Sequence, residues 1–121
     1  NLSTNISVLL LTGIANPVPF YNFLKKEYAS IKHVQFADHH NYTKTDATTI
    51  AKTFDQMEGN LKCIITTEKD MMRLSSPNCI DTLNTLPVFY IPIEVCFHGN
   101  GKKEFDQRLI KNVIETTTRK N

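Results

Sequence analysis

A three-layer α/β/α sandwich around a mainly parallel sheet of four to five strands is the fold class this sequence predicts. Two observations carry it. Apolar runs of strand length recur: SVLLLTG at 7–13 is continuously apolar, IKHVQFA at 31–37 is β-branched and aromatic, and LKCIITT at 61–67 is a third. Continuous hydrophobicity marks a strand buried on both faces. Between these runs lie stretches with apolar residues at helical spacing. Strands alternating with helices pair in parallel, because each right-handed crossover lays its helix on the sheet.

Each element has a local cause. After the first strand Asn16 is a cap, Pro17 suits the first helical position, and Phe20, Phe23, Leu24 and Tyr28 repeat at helical spacing. Thr43 and Asp46 make a capping-box-like pair ahead of Ala47, Ile50, Ala51 and Phe54, in a helix expected to stop near Gly59. The third strand runs into EKDMMRL, a helical turn or short helix. VFYIPIEVCF at 88–97 alternates Phe89, Ile91, Ile93, Val95 and Phe97 on one face. Its Pro92 lacks a ladder donor, which puts this strand at an edge or a bulge. Phe105, Leu109 and Val113, with Ile110 and Ile114, form a closing amphipathic helix. Leu9, Leu11, Val34, Phe36, Ile64 and Ile65 are assigned to central strands of what is then a Rossmann-like sheet.

Composition bounds the function. A chain of 121 residues with 40% hydrophobic and 21% charged residues is one ordinary globular domain. A net charge of +2, with lysines and arginines scattered, gives no nucleic-acid track. The longest apolar run falls far short of the roughly 20 residues a bilayer helix needs. No basic segment followed by an apolar one opens the chain, and a start at Asn1 rather than methionine reads as an excised piece of something longer. Cys63, Cys79 and Cys96 are odd in number and lack a C-x-x-C spacing, so they read as buried free thiols of a reducing compartment.

In parallel sheets ligands bind beyond the carboxyl ends of the strands, and three such ends are polar here. The first is TGIANP, where Gly13 allows unusual backbone geometry and Asn16 starts a helix whose free amides favour an anion. Taken alone, a plain strand-to-helix turn is the simpler reading. The third is TTEKD: Thr66 and Thr67 bring hydroxyls, Glu68 and Asp70 suit a helix start, and Lys69 and Arg73 either face an anion or sit on a solvated face with an Asp70–Arg73 ion pair. The second is Asp38-His39-His40. It is either a polar loop or a proton-handling site, since histidine titrates near neutrality once a partner fixes its tautomer. Asp38, adjacent in sequence, is awkwardly placed to be that partner. A metal site is not expected: neighbouring histidines rarely share one ion, and no H-x-E or H-x-x-x-H spacing supports them. His33 and His98 are assigned no chemistry. Neither G-x-x-x-x-G-K-[ST] nor G-x-G-x-x-G occurs in the chain.

Taken in order, LLLTGIANPVPF, FADHHNYT, CIITTEKDMMRL and VFYIPIEVCF resemble the C-terminal half of the tetraacyldisaccharide 4'-kinase family of Gram-negative lipid A synthesis, over roughly residues 7–115. Any one segment alone is weak; the set at this spacing is specific. The resemblance implies a P-loop kinase that moves the γ-phosphoryl group of ATP, with Mg²⁺, to the 4'-hydroxyl of lipid A disaccharide 1-phosphate at the cytoplasmic face of the inner membrane. It divides the chain into a linker at 1–6, from an N-terminal P-loop domain outside this sequence, and a C-terminal domain at 7–117. Nucleotide loop, Mg²⁺ ligands and membrane contact belong to that other domain, so the 121 residues alone are expected to be inactive. The family's DH motif falls on Asp38 and His39, with His39 implied to pair with an aspartate of the N-terminal domain. Thr67, Glu68, Lys69 and Asp70 match a signature facing the interdomain cleft, where Gly13, Asn16 and Arg73 are also assigned. The alternatives are a metal-dependent DHH-type phosphoesterase and a non-catalytic ligand-binding or interaction domain.

Overall fold

The computed structural model describes residues 5–92. Among the described residues eight elements follow one another: β1 (Ile6–Thr12), α1 (Val18–Glu27), β2 (Ser30–Gln35), α2 (Lys44–Gln56), β3 (Leu61–Thr67), α3 (Glu68–Leu74), α4 (Pro77–Leu83) and β4 (Val88–Ile91). The strands form one four-stranded sheet in the order β2-β1-β3-β4, with every pairing parallel. Leu9 of β1 lies between Lys32 of β2 and Ile64 of β3, the register that makes β1 and β3 the central pair.

The order explains the layers. From β1 the chain steps to one side to make β2, then crosses back over β1 to β3 and continues in the same direction to β4. Crossovers of a single hand must then put α1 on one face and the later helices on the other. The packing agrees. Ile6, Val8 and Leu10 of β1 pack with Phe20, Phe23, Leu24 and Tyr28, whereas Leu9 and Leu11 pack with Ala47, Ile50, Phe54, Leu74, Cys79 and Leu83. Every residue of β1 is buried, which is why its sequence is apolar without alternation.

Four details differ from the sequence reading. β2 is an outer strand of the described sheet, with Ser30, Lys32 and Gln35 exposed and Ile31, His33 and Val34 half-buried, so Val34 is not central and Phe36 lies past the strand's end. The polar Lys32 and His33 within it fit that position. Helix α1 begins at Val18, one residue late: Pro17 occupies the N-cap, its carbonyl accepting from the Tyr21 N–H, while Asn16 Oδ1 accepts from the Val18 N–H at 3.2 Å. Helix α2 ends at Gln56, before Gly59, because the Lys62 ammonium donates to the Phe54 and Met57 carbonyls at 3.0 and 3.2 Å and closes its last turn. Helix α4, with Ser76 at its N-cap and Pro77 following, was not anticipated.

The strand expected at 88–97 is present over Val88–Ile91, beside β3 and outermost among the described strands, a position that tolerates the following proline. Residues 93–97 and the closing helix at 105–114 lie outside the described residues, as do Cys96 and His98. Cys63 and Cys79 are buried free thiols, and burial pushes that of Cys63 up to about 12.

Candidate functional site

Three segments leave the carboxyl edge of the sheet, the loops after β1 and β2 and the start of α3 directly after β3, and one buried carboxylate ties them together. Thr67 caps α3, its hydroxyl accepting from the Asp70 N–H at 3.0 Å, which turns Asp70 back under the edge. There Asp70, with no exposed surface, accepts from the Gly13 N–H at 2.9 Å, the Thr67 hydroxyl at 2.7 Å and the Tyr42 hydroxyl at 3.2 Å. Arg73, one turn on, stands 3.6 Å from its other side. Burial first, and then the Asp70 carboxylate, push Tyr42 well above the ordinary phenol value, so its hydroxyl keeps its proton and donates. Thr66 adds a fourth tie by donating to the Leu11 carbonyl at 2.9 Å.

Gly13 is where the close approach occurs. A Cβ there would lie 2.9 Å from Asp70 Oδ1 and 3.3 Å from both the Ala37 carbonyl and the Tyr42 hydroxyl. The reason for glycine is therefore room rather than the unusual backbone geometry considered from the sequence; among the described glycines positive φ is confined to Gly59.

The Gly13 carbonyl carries the second half of the arrangement. It accepts from the His39 N–H at 3.1 Å and from Arg73 Nη1 at 3.4 Å. His39 has φ 60°, the left-handed region that histidine enters more readily than most side chains, and this throws its ring outward with three-quarters of the side chain exposed (75%). Two groups reach the ring: Arg73 Nη2 at 3.1 Å from Nδ1, and Asp38 Oδ2 at 3.5 Å from Nε2. The Asp38 contact, awkward by sequence adjacency, is an ion-pair distance.

His40 turns the other way. Its Nε2 sits 2.8 Å from Asp46 Oδ2, and its ring stacks on Phe36 at 4.6 Å between centroids, edge-on to Tyr42. Burial would raise the Asp46 carboxyl, but bonds from the Thr43 amide and hydroxyl and from His40 outweigh it and hold the group below the usual carboxylate range. His33, assigned no chemistry from sequence, is a packed side chain with Nε2 2.8 Å from Thr12 Oγ1 and its ring stacked on Tyr21.

The structure thus brings Gly13, Asp38, His39, Thr67, Asp70 and Arg73 to one edge. Thr67 and Asp70 lie beneath it, fully buried, and Asp70 is not on the solvated face weighed from the sequence. Glu68, Lys69 and Asn16 are exposed. Tyr42 was missed; its signal was a tyrosine in an otherwise polar loop, since a buried tyrosine hydroxyl needs a partner. Among the described residues no three histidine, cysteine, aspartate or glutamate side chains gather as metal ligands. None of the described helices is long and apolar enough to cross a membrane.

Residues 2–114 match the sequence profile of the tetraacyldisaccharide-1-P 4'-kinase family. Among similar curated proteins, the tetraacyldisaccharide 4'-kinase of Bacteroides thetaiotaomicron is 36% identical over 115 residues, covering 94% of this chain and 30% of that protein. Its counterpart in Flavobacterium psychrophilum is 38% identical over 112 residues, 93% of this chain and 29% of that one. The Bacteroides fragilis protein is 33% identical over 117 residues, 97% and 31%. This chain therefore spans about 30% of the length of the curated relatives it matches. No solved structure gives a significant match. With nearly the whole chain inside the family profile, the chain belongs to the tetraacyldisaccharide-1-P 4'-kinase family.

Proposed function

We propose that this chain is the C-terminal domain of a kinase that transfers the γ-phosphoryl group of ATP to the 4'-hydroxyl of lipid A disaccharide 1-phosphate, at the cytoplasmic face of an inner membrane. The observation that carries the proposal is the exposed His39 ring, projecting from a sheet edge whose loops are otherwise locked. An exposed imidazole on a rigid base suits a partner supplied from outside the domain. In the proposed reaction an aspartate of the N-terminal domain, oriented by His39, takes the proton of the sugar hydroxyl as that oxygen bonds to phosphorus. The bond from phosphorus to the bridging oxygen breaks and ADP leaves. Positioning of this kind is the main protein contribution to phosphoryl transfer. Asp38 lies beside His39 as a second carboxylate to the same ring. Glu68 and Lys69, exposed beside the edge, face the proposed cleft and are free to meet substrate or nucleotide.

ATP and Mg²⁺ are assigned to the other domain. The described residues do not fit the ion: no ligand triad forms, and the oxygens of Asp70 are occupied by protein donors. No step is written through it. The deciding experiment is steady-state kinetics on the full-length protein. His39→Ala is expected to lower kcat by about 10² to 10⁴, the usual range for lost acid–base assistance, with a smaller change in KM. His40→Ala is expected to be milder, because His40 is turned toward Asp46. An unimpaired His39→Ala enzyme, or a more damaged His40→Ala one, would overturn the assignment.

A further inference from the structure

Of the two groups that reach the His39 ring, the one at Nδ1 lies at hydrogen-bond distance, and the donor there admits one reading. A guanidinium has five N–H donors and no acceptor, so Arg73 Nη2, 3.1 Å from Nδ1, donates and Nδ1 accepts. The proton of the neutral ring then sits on Nε2, the nitrogen facing Asp38 and the open side. Arg73 is itself held by two groups and largely covered. Asp70 lies 3.6 Å from Nη1, the Gly13 carbonyl accepts from Nη1 at 3.4 Å, and three-quarters of the side chain is covered. The planar fork thus spans the β1 loop and the histidine at once, which a lysine, with a single point of charge, cannot reproduce.

We propose that Arg73 is a positioning residue for the phosphoryl transfer, holding His39 as the Nε2–H tautomer so that its outward nitrogen donates to the catalytic aspartate of the other domain. The inference rests on the kinase reading of His39 and adds the means by which the fold sets that side chain. It also gives Arg73 an intramolecular duty in place of direct anion contact. A histidine with the other tautomer would present a lone pair to a carboxylate, and the pairing would fail.

The test combines spectroscopy with kinetics on the full-length protein carrying ring-labelled histidine. Two-bond proton–nitrogen correlation spectra, with His39 assigned by its disappearance in His39→Ala, are expected to show Nε2 protonated and Nδ1 bare in the wild type. In Arg73→Met the ring is expected to become a mixture of tautomers, with kcat falling about 10-fold and KM within about 2-fold. Arg73→Lys keeps a cation beside Asp70 and serves as the folding control: its melting temperature should stay near wild type while the tautomer and kcat change as in Arg73→Met. A ring that stays Nε2–H in both variants overturns the proposal, and so does a changed tautomer with unchanged kcat. Should His39→Ala itself be unimpaired, the kinase role of His39 falls, while a tautomer change in the Arg73 variants still upholds the contact.

Discussion

Removing the Asp70 carboxylate would leave the Gly13 N–H, the Thr67 hydroxyl and the Tyr42 hydroxyl facing a buried gap. Each orphaned buried donor costs about 1–3 kcal/mol, so Asp70→Ala is expected to destabilise the chain by at least about 3 kcal/mol in urea unfolding. Gly13→Ala attacks the same contact from the other side: its Cβ would meet Asp70 Oδ1 at 2.9 Å, and overpacking of this kind costs about 1–3 kcal/mol. A loss below about 1 kcal/mol for Asp70→Ala would mean that the carboxylate is not the tie between the loops. Little of this was legible in advance. The partners of Asp70 lie 57 and 28 residues away along the chain, and only the bond to Thr67, three residues back, belongs to a local pattern. From sequence the nearest visible partner was Arg73, which is present but accounts for only one side of the group.

Helix α2 shows the opposite case, because its start is built from neighbours. The Thr43 hydroxyl accepts from the Asp46 N–H at 3.0 Å and Asp46 Oδ2 accepts from the Thr43 N–H at 2.9 Å, a capping box visible in the four letters TKTD. His40, bonding to the same carboxylate, extends the box to the loop after β2. The folded-state pKa of Asp46 is depressed, so its contribution to stability is fully present above the unfolded value near 3.8 and is lost as pH falls through the lower folded value. Unfolding free energy measured between about pH 5 and pH 2 should therefore drop less steeply in Asp46→Asn than in the wild type. Equal slopes would show that the carboxylate gains nothing from its partners. Helix α4 escaped notice for a physical reason: seven residues make two turns, too few for periodicity to register, although Ser76 and Pro77 form a serviceable start signal.

Across the whole molecule, the sheet order puts the change of direction between β1 and β3: the chain leaves β1 toward one face and β3 toward the other. In open parallel sheets that crevice is where ligands settle. Here Asp70 fills it from below by bonding to Gly13, and what remains exposed above is the Asp38 and His39 pair with Lys69 and Glu68 nearby. Strand content and strand direction were legible, because burial on both faces leaves a continuous apolar run. Strand order was not, since β1 and β2 differ in how far their neighbours cover them, which no single run encodes. The outcome is a domain with an exposed imidazole but, in its sequence, no glycine-rich phosphate loop. The relatives it matches are about three times longer, with this chain spanning 30% of one and 29% of another. Purified as these 121 residues and given ATP, Mg²⁺ and lipid A disaccharide 1-phosphate, the chain is therefore expected to form no 4'-phosphorylated product, while the full-length protein under the same conditions does. Product is followed by transfer of labelled γ-phosphate into the lipid fraction. Turnover by the chain alone would require a nucleotide site within it, and would contradict the assignment of phosphate binding to the other domain.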